Sequence, residues 1–219
     1  MSPAGPGDRA RGRDWVRLGE AFRGESWILD RLETRRCILA DHFRLQHGDH
    51  AGFFLRFRAF AADQEALQRV VARAIACLPE AAFTSPVVLC PESAGYDLGR
   101  AIAAELDTDF AVVAVDRNRR PTARLARGVL PEGRPVVVVN DVVTTGASLA
   151  PMLDLAQSKS ALPPQIVVFA TQGPRAEAFA AAQARPLIRA VHTDWPLWAP
   201  GDCPICKAGG RPVPAAEFN

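Results

Sequence analysis

Lysine is nearly missing from this sequence: Lys159 and Lys207 are the two in 219 residues, and every other basic side chain is arginine. Arginine presents a planar fork suited to phosphate and carboxylate, but it does not give up its proton near neutral pH. Net charge is also scarce. A formal +2 is too small to argue for a nucleic-acid partner. No apolar run approaches membrane-spanning length, so no membrane association is expected. Residues 1–14 are rich in Pro, Gly and Arg and lack an apolar core, so they are expected to form a disordered leader, set at 1–24 in the domain division, and not a signal peptide. The five cysteines are an odd number, which argues against a disulfide scaffold and for a reducing, cytoplasmic setting. A Gly-Lys-Ser/Thr phosphate loop is absent, which disfavours a nucleoside triphosphatase. There is no internal repeat.

What is present suits one α/β domain. With 48% hydrophobic residues, the chain can bury a substantial core. Residues 25–41 carry Trp27, Ile28, Leu32, Ile38 and Leu39 at largely helical spacing, which predicts a helix. Residues 42–60 are aromatic and partly alternating, which predicts extended strands around a turn at 47–49. A helix is expected over 63–78. From there the pattern alternates. Strands are predicted at 87–90, 110–115, 135–139, 166–170 and 187–191. Helices are predicted from 95 through 106 and at 149–157 and 175–184. Residues 117–133 read as a polar, Arg-rich excursion, and the tail from Trp195 as a surface wrap. This alternation implies a mainly parallel central sheet flanked by helices. The division is 25–212 for the domain, with 25–62 as a small N-terminal hood, and 213–219 as a tail.

The most informative segment is Val136-Val-Val-Val-Asn-Asp-Val-Val-Thr-Thr-Gly-Ala-Ser148. An apolar strand ends in a polar pair, and a hydroxyl-rich turn with one glycine then enters a helix. Open α/β sheets bind ligands at the carboxyl ends of their strands, and a turn entering a helix offers N–H groups and a favourable dipole to an anion. Gly146 permits close backbone approach, Thr144, Thr145 and Ser148 supply hydroxyls, and Asn140 and Asp141 can accept hydrogen bonds from a sugar diol. The bland alternative is an ordinary β-turn-α connection capped by Thr and Ser.

This segment resembles the phosphoribosyl-pyrophosphate signature of type I phosphoribosyltransferases, with Asn140 where the family's first acidic residue stands. The likeness extends to Ala40-Asp-His-Phe-Arg-Leu-Gln-His-Gly-Asp-His-Ala-Gly-Phe-Phe54, which is similar to an N-terminal segment of orotate phosphoribosyltransferases. His42, Phe43, Leu45, Gly48 and His50 match it; His47 and Ala51 replace serines, and Gln46 replaces a lysine. The resemblance implies the type I phosphoribosyltransferase fold. It implies transfer of phosphoribosyl from phosphoribosyl pyrophosphate to a nucleobase, orotate foremost, as in pyrimidine biosynthesis. Mg²⁺ held mainly by the substrate diphosphate and a homodimer are implied too. The 5′-phosphate and ribose would meet Asn140, Asp141, Val143, Thr144, Thr145, Gly146, Ala147 and Ser148. Pro91-Glu-Ser-Ala-Gly95 resembles the pyrophosphate loop, which assigns Glu92, Ser93, Ala94 and Gly95 to diphosphate.

Phe53 or Phe54 would lie against the base, or else form hood core. Arg56 and Arg58, on one face of an alternating strand, are the candidate cations for a base carboxylate, since Ala150 stands where some family members keep an arginine. The segment Asp116-Arg-Asn-Arg-Arg-Pro-Thr-Ala-Arg-Leu-Ala-Arg-Gly128 corresponds to the family's mobile loop but has neither lysine nor histidine. Arg117, Arg119 and Arg120, with Asp141, are the candidate catalytic groups: positioned cations can neutralise a departing diphosphate. A solvated basic loop is the alternative there.

Cys203 and Cys206, in a Cys-Pro-x-Cys tail resembling that of some bacterial orotate enzymes, have metal-ligand spacing. With no second such pair and His192 as the one imidazole expected nearby, they read as a tight turn with free thiols and no metal. Two rivals stand beside the orotate reading: a paralogue using another aromatic acceptor in specialised metabolism, and a non-catalytic regulator sensing phosphoribosyl pyrophosphate. No helix-turn-helix or basic-aromatic patch supports the regulator.

Overall fold

A computed structural model describes residues 13–92, 95–160, 162–183 and 187–218. Among the described residues, eleven strands fall into two sheets. The larger sheet contains β1 (Val16–Leu18), β4 (Val87–Pro91), β5 (Asp109–Val115), β6 (Pro121–Arg127), β7 (Val136–Val143), β8 (Gln165–Gln172) and β9 (Leu187–Thr193), in the order β1-β9-β8-β7-β4-β5-β6. The five central strands β9-β8-β7-β4-β5 run parallel, and the edge strands β1 and β6 are antiparallel. The smaller sheet is the hood. It comprises β2 (Ile38–Arg44), β3 (His50–Leu55), β10 (Leu197–Trp198) and β11 (Val213–Pro214), in the order β10-β3-β2-β11.

Strand periodicity builds two cores. On β4, Val88 and Cys90 face one side while Val87 and Leu89 face the other; β7 divides likewise into Val137 and Val139 against Val136 and Val138. All eight are buried, as expected of parallel strands covered on both faces. The first face is covered by α1 (Trp27–Thr34), α2 (Phe57–Ala61), α3 (Gln64–Ala76) and α4 (Tyr96–Glu105). The second is covered by α5 (Ala150–Lys159) and α6 (Gly173–Ala181). Asp63 caps α3, accepting the Ala66 N–H at 3.1 Å. Arg31 and Arg35 both pair with its carboxylate and, with that N–H, hold it below the usual range.

Several expectations are corrected. The helix predicted over 25–41 stops at Thr34, and Arg36 adopts a left-handed φ of 50°. Ile38 and Leu39 then pair with Leu55 and Phe54 across the hood hairpin, so tertiary pairing overrides their helical spacing. The strand expected to continue to 60 ends at Leu55, and Phe57–Ala61 is helical. Within 13–24, the leader reading fails: Val16–Leu18 pairs with β9 and Phe22 is buried, because the sheet edge needs a partner and the core an aromatic. Residues 1–12 lie outside the described residues. The Arg-rich excursion contains β6, an exposed strand hydrogen-bonded to β5. The hood is not purely N-terminal either. The tail supplies β10, β11 and α7 (Pro204–Lys207), with Trp195 and Cys203 fully buried.

Candidate active site

β7 runs through Val143, so Asn140 and Asp141 sit in the strand itself, near its carboxyl end. The Asn140 amide spans the following turn. Its Nδ2 donates to Ser148 Oγ at 3.0 Å, and its Oδ1 accepts the Asp141 N–H at 2.9 Å. Gly146 has φ +80°, and a Cβ there would fall 2.1 Å from the Phe179 ring, so conformation and packing both require glycine. The Leu149 and Ala150 N–H groups donate to the Gly146 carbonyl, leading the turn directly into α5. Gly95 closes the adjacent side: a Cβ would meet Asn140 Oδ1 at 2.8 Å and its Cα at 2.9 Å.

Asp141 is only partly exposed. Burial pushes its carboxyl up to about 6, against the opposing pull of backbone N–H groups and of the Arg58 charge. Above that pH it is a partly desolvated anion, suited to holding hydroxyls and facing positive charge.

Opposite this floor, the β2–β3 turn meets the β5–β6 hairpin tip. Gln46 Nε2 donates to the Asn118 carbonyl, and Arg120 Nη2 donates to the Gln46 carbonyl at 3.4 Å. The tip is organised by Asp116, whose carboxylate accepts the N–H groups of Asn118 and Arg120 at 2.8 and 2.9 Å. His47 Nδ1 accepts the Asp49 N–H at 3.4 Å, leaving Nε2–H to donate to Thr144 Oγ1 at 2.8 Å. Burial, with Arg175 and Arg120 nearby, lowers the pKa of His47 and keeps it neutral.

Between floor and roof lies a cavity of about 450 Å³. Asn140, Asp141, Thr144, Thr145, Ala147 and Ser148 line one side, and Arg119 and Arg120 the tip. Phe54 lines the hood side. The site thus brings together both halves of the sequence expectation. Others on that expectation lie elsewhere. Val143 faces the second core, where it is fully buried. Phe53 packs on Trp195 at 5.4 Å between ring centroids, the hood-core alternative. Arg117 is exposed and outside the cavity lining.

Arg56 and Arg58 do not share a strand face. Arg56 precedes α2 and donates to the Arg36 carbonyl at 2.9 Å, while Arg58 lies on α2 near enough to act on Asp141. The Glu92 N–H is taken by the Val113 carbonyl, and its carboxylate pairs with Arg127, so it is not a free diphosphate donor. Ser93 and Ala94 lie outside the described residues.

Leu45, Gln46, His47, Asp116, Gln172, Ala215 and Ala216 also line the cavity and were missed as site residues. Gln172 is the instructive one. It ends β8, where ligands of open sheets gather, and its buried Nε2 has no hydrogen-bond partner. His192, expected near the tail cysteines, instead hydrogen-bonds Thr171 and Asp194; the imidazoles beside those cysteines are His42 and His50.

A sequence model of the phosphoribosyl transferase domain matches residues 62–179. Orotate phosphoribosyltransferase of Heliobacterium modesticaldum is 24% identical over 186 residues, covering 83% of this chain and 92% of that protein. The enzyme of the same name from Pyrococcus furiosus is 30% identical over 123 residues, covering 56% and 67%. Among solved structures, orotate phosphoribosyltransferase from Aeropyrum pernix superposes with a TM-score of 0.57 at 22% identity, covering 74% of this chain and 89% of that one.

Proposed function

The chain belongs to the phosphoribosyltransferase family, and from that premise we propose that it transfers 5-phosphoribosyl from phosphoribosyl pyrophosphate to orotate, releasing pyrophosphate. The observation carrying this reading is convergence: the hydroxyl-rich turn, the Asn140–Asp141 pair and the Arg119–Arg120 tip border one cavity of about 450 Å³, a size that suits a small-molecule substrate.

In this reading the turn from Thr144 to Ser148 grips the 5′-phosphate through hydroxyls and the start of α5. Asp141 holds the ribose hydroxyls. The bond from the anomeric carbon to the diphosphate oxygen breaks, and its electron pair leaves with pyrophosphate. The base ring nitrogen forms the new bond and gives up its proton to solvent. Positive charge developing on the ribose faces the Asp141 carboxylate, and negative charge on the diphosphate faces Arg119 and Arg120. No lysine lines the cavity among the described residues, so in this reading the leaving group's charge is met by the arginine cations.

Mg²⁺ fits the donor set as a substrate-borne ion. Asp141 and Asp116 offer carboxylates, whereas the Asn140 amide is already committed within the turn. Mg²⁺ favours oxygen ligands and retains waters; when bound, it would neutralise diphosphate charge. Phe54 supplies a flat face for the base, and the unpartnered Gln172 Nε2 suits a ring carbonyl. Homodimerisation belongs to the same reading and is checked by light scattering. The test of specificity is pyrophosphate release with phosphoribosyl pyrophosphate, Mg²⁺ and a panel of orotate, uracil, adenine and hypoxanthine. Orotate should exceed the others in kcat/KM by on the order of 10²-fold. A higher value for an uncharged base would overturn the orotate assignment.

A further inference from the structure

Four ligand-type side chains meet in the hood, apart from the cavity lining: His42 on β2, His50 on β3, and Cys203 and Cys206 at the start and within α7. Their ligand atoms all lie within 4.8 Å of one another. His42 Nε2 is 3.0 Å from His50 Nδ1, 3.3 Å from Cys203 Sγ and 3.7 Å from Cys206 Sγ; Cys206 Sγ is 3.3 Å from His50 Nδ1. A tetrahedral zinc ion with ordinary Zn–N and Zn–S bonds holds its ligand atoms about 3.3–3.8 Å apart. These four separations lie within a few tenths of an ångström of that frame. His42, His50 and Cys203 are buried, and Cys206 is partly so.

We propose that His42, His50, Cys203 and Cys206 bind one Zn²⁺ as a closed structural site. The chemistry selects the metal. Two thiolates and two imidazoles are the donors of a Cys₂His₂ zinc centre, whereas Mg²⁺ and Ca²⁺ take oxygen ligands. Four protein ligands leave no open position, so the ion is structural. Binding releases the two thiol protons, and two thiolates balance the dication. This reverses the expectation of free thiols: the cysteine pair does have a second pair of ligands, His42 lying 161 residues from Cys203 and His50 lying 156 residues from Cys206.

The consequence is architectural. The site ties the β2–β3 hairpin, whose turn carries Leu45, Gln46 and His47, to the tail that carries Ala215 and Ala216, and all five residues line the cavity. Closing so long a loop is entropically costly, and a metal bridge offsets that cost. The hood sheet has only a small apolar cluster of its own, Phe43, Leu45, Ala51 and Ala215.

The test is zinc content of the purified full-length protein by mass spectrometry, beside the visible spectrum of its Co²⁺-substituted form. We expect about one zinc per chain, and the intense absorption of tetrahedral cobalt with thiolate charge transfer. Cys206→Ser and His50→Asn should each lower zinc content at least about tenfold while retaining the far-ultraviolet dichroism of the fold. If those variants fail to fold, X-ray absorption on the wild type decides, with two sulfur and two nitrogen neighbours expected. Wild-type protein that lacks zinc and yields no tetrahedral cobalt spectrum overturns the proposal. So does a Cys203–Cys206 disulfide, or zinc retained in full by the double variant Cys203→Ser/Cys206→Ser.

Discussion

The floor and the roof of the cavity are built in different ways. The floor is one continuous run, from Asn140 to Ser148, cross-braced by an amide–hydroxyl bond and by a glycine that no other residue could replace without strain. Its neighbours in space are largely its neighbours in sequence. The roof is assembled from the β2–β3 turn, the β5–β6 tip and the C-terminal tail, and the side-chain hydrogen bonds that join these parts to one another span from 72 to 164 residues. The phosphate site proposed above sits on local backbone. Its cover is held by a few long-range bonds.

The sharpest way to break the floor is Asp141→Asn. It should lower kcat/KM by on the order of 10³-fold, because the carboxylate faces charge that develops only in the transition state. Affinity for phosphoribosyl pyrophosphate, measured by calorimetry, should change little. Unaltered turnover would remove the assigned role. On the roof, Arg119→Ala combined with Arg120→Ala should cost on the order of 10²-fold in kcat. A solvated basic loop with no catalytic part would leave kcat unchanged. Phe54→Ala should raise the KM for the base about tenfold, the loss of one aromatic face, and spare that for phosphoribosyl pyrophosphate. Equal rises in both would show that floor and roof act as one unit.

The smallest effect is on stability, and it runs opposite to activity. Burial pushes the Asp141 carboxyl up to about 6 in the folded chain, from an ordinary value of 3.8. Between those values the folded state binds more protons than the unfolded state, so Asp141 favours folding at low pH, and this contribution is lost as pH rises through 6. kcat/KM should instead climb through the same range as the carboxylate forms. At pH 7.5, Asp141→Asn should stabilise the fold by roughly 1–2 kcal/mol, discounted because solvent reaches the group through the cavity. Denaturant titration at pH 4.5 and 7.5 checks this: a variant with the wild-type pH dependence would contradict it.

The sequence made the floor legible because the floor's contacts are local in sequence. Val136 to Ser148 states strand, polar pair, turn and helix start in order, and alternating β and α patterns carry the parallel sheet. What periodicity missed was decided at a distance. Ile38 and Leu39 have helical spacing with Trp27 and Ile28 but are claimed by Leu55 and Phe54. Arg56 and Arg58 alternate on paper, yet the chain turns into α2 at Phe57. Nothing local to Cys203 and Cys206 announces His42 and His50. The histidines lie in one sequence motif and the cysteines in another, and only the fold of the tail onto the hood joins them.

The central claim, that the turn following β7 holds the phosphoribosyl group beneath the arginine tip, is tested most directly by a crystal structure of the Asp141→Asn protein with phosphoribosyl pyrophosphate and Mg²⁺. The slow variant should preserve the substrate. The account predicts the 5′-phosphate within hydrogen-bonding distance of residues Thr144 to Ser148, with the diphosphate directed toward Arg119 and Arg120. A phosphoribosyl group bound anywhere else, or a cavity without ligand at saturating substrate, would contradict it.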